Sequence, residues 1–237
     1  MCKVEKRACP RCSGDVLYAG VENKKQSFKC TNCEWQGPNP AILKISVDYR
    51  NIKKKCNFCG ADEGNFHDYM CGMEFCPFCG SSLSNCNCCY TKLGYDPENL
   101  PEEIYNNYLD EEDQQRFKKI VQDKGRVLNI HYPNMCAKCG VLWPITFMVS
   151  TEEWQRFVPS TIQRAMLCHK CYEEIKESKI KDENFEISFP ILCHYCGKTN
   201  PAPNNADKKE WESYIEIRMR KSVICQVCFE FIKDLVD

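Results

Sequence analysis

Apolar and polar positions alternate in short bursts at the start of the chain. Val16-Leu17-Tyr18-Ala19-Gly20-Val21 follows Gly14-Asp15, and after a polar stretch the pattern returns at Ser27-Phe28-Lys29. This predicts two short strands joined by a polar turn, and Ile42–Val47 predicts another strand. From residue 110 the period lengthens. Phe117, Ile120 and Val121 fall at i, i+3 and i+4, the stripe of an amphipathic helix. Asp110 stands at its N-cap, Asp113 at the capping-box position and Gly125 just past its end. Pro101-Glu102-Glu103 predicts the start of a shorter helix before it. Near the C-terminus, Tyr172-Glu-Glu-Ile175-Lys and Phe229-Glu-Phe-Ile232-Lys read as helices. An apolar pair that reads as strand precedes each (Met166-Leu167 and Val223-Ile224). Two further helices are expected around Thr151–Phe157 and Lys208–Ile215.

These segments are too short to bury much apolar surface, so something else must hold them. The chain has 21 cysteines, and sixteen form eight Cys-x-x-Cys pairs: Cys9/Cys12, Cys30/Cys33, Cys56/Cys59, Cys76/Cys79, Cys136/Cys139, Cys168/Cys171, Cys193/Cys196 and Cys225/Cys228. Taken in order, they make four tetrathiolate sites. Each pair supplies two sulfurs to one edge of a tetrahedron, which suits structural zinc. A disulfide framework fits less well. The count is odd, the spacing is uniform, and the basic opening Met-Cys-Lys-Val-Glu-Lys-Arg leads into no apolar leader. No stretch of 18 apolar residues predicts a membrane span. A reducing cytoplasm is the expected setting, and zinc the expected cofactor, four ions with a fifth in prospect.

Five cysteines stand outside the grid: Cys2, Cys71, Cys86, Cys88 and Cys89. A fifth site could use Cys71, Cys86, Cys88 and Cys89, with His67 as a further candidate. The alternatives are that these thiols compete for the second site, or that they are free buried cysteines.

The last two modules are an internal repeat. Cys136–Lys176 aligns without gaps on Cys193–Lys233 at a shift of 57 residues, with 11 of 41 positions identical. The matches include Gly140/Gly197, Pro144/Pro201, Glu153/Glu210 and Trp154/Trp211 as well as the cysteines, which marks a duplicated fold. In each copy the first pair ends in glycine, as a knuckle does, and the second opens a helix, whose N-terminus stabilises thiolate. Trp154 and Phe157, with Trp211 and Tyr214, sit at i and i+3 on the extra helix. They form either a paired aromatic surface or, as the repeat favours, a pair packed over the zinc knuckle of its own copy.

Several stretches resemble known families. Phe28-Lys-Cys-x-x-Cys-x-Trp35 resembles zinc ribbons of transcription and translation proteins. In that setting Phe28 and Trp35 either cover the metal or stack on bases. The Cys56–Gly60 and Cys76–Gly80 knuckles resemble rubredoxin-like ribbons. Each C-terminal copy resembles a treble-clef finger, and its run Cys136–Cys171 resembles small cysteine-rich proteins of phages and bacteria. These resemblances imply a small, metal-stapled α+β architecture. It comprises a zinc ribbon (1–50), a double-knuckle ribbon (51–90), an acidic helical bridge (91–130), a treble-clef-like finger (131–182) and a second copy of it (183–237).

Formal net charge is −1, but four tetrathiolate zincs would lower it to about −9. Residues 1–60 carry 12 Lys/Arg against 5 Asp/Glu, and residues 61–125 carry 5 against 13. The basic head, with Lys24, Lys25, Lys29, Lys53, Lys54 and Lys55, is the expected nucleic-acid contact. The acidic middle and the paired fingers are the expected protein contacts. Catalysis is not expected, because each site closes with four ligands. There is no His-x-Glu of a deaminase and no phosphate loop. His131, His169 and His194 are scattered, and neither finger places a histidine as a nuclease would. The sequence therefore points to a non-enzymatic zinc adapter of nucleic-acid machinery. The alternatives are a structural or host-takeover assembly protein and a thiol redox or chaperone-like protein.

Overall fold

The computed structural model describes all residues except 1, 24, 53, 69, 70, 74, 103, 105–108 and 125–128. Among the described residues are five strands, β1 (Cys2–Ala8), β2 (Val16–Glu22), β3 (Lys25–Cys30), β4 (Gln36–Gly37) and β5 (Ala41–Val47). Six helices follow: α1 (Cys88–Leu93), α2 (Glu111–Asp123), α3 (Thr151–Phe157), α4 (His169–Lys181), α5 (Lys208–Tyr214) and α6 (Gln226–Val236). This is a small α+β chain with two small sheets. It divides into two units, Met1–Tyr49 with Pro133–Pro201, and Arg50–Tyr132 with Ala202–Asp237.

In the first unit, β2, β3 and β4 form one antiparallel sheet, and β1 pairs with β5 in a second. β2 and β3 are the predicted hairpin, with Tyr18 opposite Phe28 and a bulge before Gly20. β1 was not foreseen. Cys-Lys-Val-Glu-Lys-Arg-Ala has only Val4 and Ala8 to mark a face, and its register is set by β5, Val4 opposite Ile45 and Arg7 opposite Ile42. The strand also carries the ribbon onto the first finger copy. Val4 bridges to Leu142, and the Leu142 amide donates to the Lys3 carbonyl at 3.0 Å. The buried Tyr49 ring packs on Trp143 and Tyr195, with centroids 6.0 and 5.8 Å away.

The core of the first unit lies between α3 and α4: Val141, Phe157, Val158, Leu167, Tyr172 and Ile175 around Cys136, Cys168 and Cys171. α3 begins where expected because Ser150 accepts from the Glu153 amide. Trp154 lies nearly parallel to Tyr172, with centroids 5.5 Å apart, and its indole N–H donates to the Gln163 carbonyl at 3.0 Å. In the second unit the repeat does the same 57 residues on. Asp207 caps α5 by accepting from the Glu210 amide, Trp211 stacks on Phe229 at 5.6 Å, and its N–H reaches the Arg220 carbonyl at 3.1 Å. The ion pairs Glu153–Lys176 and Glu210–Lys233 are likewise equivalent. The aromatic pairs are thus packing within each copy, and what they pack against is the helix that opens at the second Cys-x-x-Cys pair, through Tyr172 in α4 and Phe229 in α6. The strands expected at Met166-Leu167 and Val223-Ile224 do not form. Both stretches belong to no strand, although the Met166 carbonyl accepts from the Ala137 amide.

The bridge helix α2 starts at its predicted cap, Asp110, which accepts from the Asp113 amide at 2.8 Å. Its stripe buries Phe117 and Val121 against Leu83, Cys89 and Leu109, the core of the second unit. Gly125 lies outside the described residues, as does most of the helix expected from Pro101.

Candidate metal centres

One turn recurs five times. At each of Cys9, Cys56, Cys76, Cys136 and Cys193, the cysteine amide donates to a carbonyl five residues on, at 2.8–3.0 Å. The cysteine carbonyl in turn accepts from the amide four residues on, at 2.8–2.9 Å. That fourth residue is left-handed: Ser13, Gly60, Gly80, Gly140 and Gly197, with φ between 58° and 78°. The turn folds the chain back over the first sulfur. Amides of Arg11 and Phe58 point at the Cys9 and Cys56 Sγ atoms from 3.4 Å, the partial positive charge a thiolate requires.

Inside the two units, four groups of four cysteine or histidine side chains come close enough to hold a metal ion, the ligand atoms of a group lying within 4.8 Å of one another. In the first unit, Cys9, Cys12, Cys30 and Cys33 gather at one end of the β2–β3–β4 sheet, and Cys136, Cys139, Cys168 and Cys171 gather at the start of α4. Both sets are the ones the spacing predicts. The Sγ distances are 3.5 Å for Cys9–Cys33 and for Cys12–Cys30, and 3.8 Å for Cys139–Cys168. A tetrahedron with zinc–sulfur arms of about 2.3 Å has edges of about 3.8 Å, whereas a disulfide would bring the sulfurs to about 2.05 Å. The donor set and its spacing fit a metal.

Electrostatics agree at Cys30. Burial alone would raise its thiol, but amides of Asn32 and Cys33 and the neighbouring thiols outweigh that and bring it down to about 7.

The second unit departs from the expected grouping. Cys56 and Cys59 do not share a site with Cys76 and Cys79. Cys56 and Cys59 gather with His67 and Cys71, and Cys76 and Cys79 gather with Cys86 and Cys88. His67 Nδ1 lies 3.3 Å from both the Cys59 and the Cys71 Sγ, and Cys56 and Cys71 are 3.6 Å apart. Burial pushes the His67 ring below the usual histidine range, in the direction of the neutral form that binds metal. The single fifth site imagined from Cys71, Cys86, Cys88 and Cys89 is therefore corrected: Cys71 belongs to one group, Cys86 and Cys88 to another. Cys89 belongs to neither and lies in the core with Phe117 and Leu83.

Each knuckle finds its remaining donors downstream, His67 and Cys71 after Cys56–Gly60 and Cys86 and Cys88 after Cys76–Gly80. Of the second finger copy, Cys193 and Cys196 form a knuckle in the first unit, and Cys225 and Cys228 open α6 in the second.

The basic head is also redistributed. Arg50 and Lys53–Lys55 fall in the second unit, leaving residues 1–49 with eight Lys/Arg against five Asp/Glu, a net of +3. Lys54 is largely buried, 3.4 Å from Glu63, and Lys55 is 2.6 Å from Asp62. Lys24 and Lys53 lie outside the described residues. Lys25 and Lys29 are exposed on β3, the strand paired with β2, where Leu17, Tyr18 and Val21 are 59–65 % exposed. The other three histidines are not gathered with cysteines in any of these groups.

Among the described residues no helix is long and apolar enough to cross a membrane. Compared with known proteins, the chain matches no family model, no curated protein and no solved structure. Fold and sites define a small α+β protein built around clusters that could hold metal.

Proposed function

We propose that this is a non-enzymatic zinc protein whose metals set the fold and whose modules present binding surfaces to nucleic-acid machinery. The observation that carries the reading is the closure of the ligand groups. Each offers four donors, with at least one cysteine of every group buried, and a catalytic zinc needs a vacant position for water. Zinc suits thiolate-rich, roughly tetrahedral donors, and a structural zinc contributes on the order of 10–16 kcal/mol in small finger peptides. In this reading the second finger copy holds an ion as the first does, giving five zincs, and the resemblance to ribbons and treble-clef fingers is one of architecture.

The nucleic-acid contact falls to the ribbon. Exposed Tyr18 offers a face on which a base can stack, and the paired strand β3 carries the exposed Lys25 and Lys29. Phe28 is not available for stacking, because it is buried beneath Arg7, whose guanidinium lies 4.6 Å from the ring centroid.

The test is binding of a fluorescein-labelled single-stranded oligothymidine to the zinc-loaded chain over 50–300 mM salt. Two phosphate contacts predict a slope of log K against log salt near −1.4. Lys25→Ala/Lys29→Ala should flatten it, and Tyr18→Ala should cost about 1–3 kcal/mol. Undetectable binding throughout, or binding indifferent to salt, removes the nucleic-acid half and leaves a protein-assembly scaffold.

A further inference from the structure

The two finger copies match in cap, stacking, ion pair and knuckle, but the stretch after the knuckle is held differently in each. After the knuckle, residues 144–150 belong to no helix or sheet, and from 145 to 150 half-buried and exposed positions alternate as along an extended chain. In the second copy the equivalent stretch is fastened by its own side chains. Asn204 donates to the Ile224 carbonyl at 3.0 Å, the Asn205 amide donates to Gln226 Oε1 at 2.9 Å, and the Ala206 amide donates to Asn204 Oδ1 at 3.2 Å. The residues at these positions in the first copy are Phe147, Met148 and Val149, which cannot make such bonds. Among the described residues nothing pairs with the backbone amides of Thr146, Phe147, Met148 or Val149.

The segment is nonetheless held in place. Phe147 and Val149 pack on the core, and Phe147 meets Tyr172 with centroids 5.2 Å apart. Met148, between them, is 96 % exposed. Alongside runs a groove of about 470 Å³, whose far wall is Arg164, Ala165, Met166 and Leu167. Arg164 is exposed and is the single charged residue among those lining it.

We propose that this groove is a peptide-binding site, and that its occupant is an extended segment of a protein partner that adds as a strand to residues 146–149. Unpaired backbone on a rigidly backed extended segment is the template for strand addition, in which main-chain bonds give affinity and alternate side chains give specificity. Met148 is an adaptable apolar contact. Arg164 selects the charge: the segment alternates apolar residues with acidic ones, one carboxylate meeting the guanidinium. The site does not rest on the nucleic-acid reading of the ribbon.

The experiment uses the zinc-loaded full chain and a fluorescein-labelled, end-blocked peptide, Val-Glu-Val-Glu-Val-Glu-Val. Fluorescence anisotropy should show saturable binding, with slowed amide exchange at residues 146–149. N-methylation of alternate peptide amides should weaken binding at least tenfold. Arg164→Ala, checked for unchanged metal content, should weaken it at least fivefold. The same peptide with lysine for glutamate should not bind. The proposal is overturned by no saturable binding, by equal binding of the lysine peptide, or by indifference to N-methylation.

Discussion

Gly140 and Gly197 face each other reciprocally. A Cβ on Gly140 would lie 2.3 Å from the Gly197 carbonyl oxygen, and one on Gly197 would lie 2.1 Å from the Gly140 carbonyl oxygen. The flanking contacts repeat the exchange, Leu192 Cδ2 at 3.2 Å from the first and Leu142 Cδ2 at 3.1 Å from the second. The two duplicated knuckles therefore pack about a local two-fold relationship, like a dimer interface retained within one chain.

That relationship predicts unequal costs for one substitution in two similar turns. Gly60 and Gly140 are both left-handed, but nothing lies within 4 Å of a Cβ at Gly60. Gly60→Ala should cost only the backbone term, about 1–2 kcal/mol. Gly140→Ala adds the displacement of the opposing knuckle and should cost about 1–3 kcal/mol more. Denaturant unfolding of the zinc-loaded variants measures both, and equal costs would remove the knuckle interface.

Trp154 and Trp211 are packing residues here. Trp154→Ala and Trp211→Ala should each destabilise by about 3 kcal/mol or more, and the phenylalanine variants by less, because the stack on Tyr172 or Phe229 survives. Thermal unfolding checks this. Unchanged stability with lost partner binding would instead make the pair a surface.

Lys54 acts inside the fold. It meets Glu63, which also accepts from the His131 amide at 3.0 Å. Lys54→Ala should lower stability by about 3 kcal/mol. It should leave the salt slope of oligothymidine binding unchanged. A flatter slope with full stability would return Lys54 to the nucleic-acid surface.

Single substitutions separate ligands from bystanders in the second unit. His67→Ala and Cys86→Ser should each lower the metal content, whereas Cys89→Ser should leave it unchanged and cost only packing, about 1–2 kcal/mol. Elemental analysis of the purified variants reads this directly. A metal lost on Cys89→Ser would reassign the ligands.

What the sequence made legible follows from how local each signal is. The α2 cap at Asp110, the hairpin of β2 and β3, and the helices at Thr151 and Lys208 rest on neighbouring residues and formed where predicted. The repeat was legible because tryptophan, glycine and glutamate matched beyond the cysteines. The grouping in the second unit was misread because only Cys-x-x-Cys pairs were matched. His67-x-x-x-Cys71 and Cys86-x-Cys88 have other spacings. The signal that was present is the surplus of donors itself: His67 and Cys71 follow the first knuckle, and Cys86 and Cys88 follow the second. β1 could not be read, because Lys3, Glu5, Lys6 and Arg7 hide its alternation and its partner β5 lies some 40 residues away.

The most direct measurement is the zinc stoichiometry of the intact chain by native mass spectrometry. Five ions are predicted, one for each knuckle, falling to four in His67→Ala. Four in the unaltered chain, with no loss on His67→Ala, would mean that Cys56, Cys59, Cys76 and Cys79 share one metal after all, and would contradict the account.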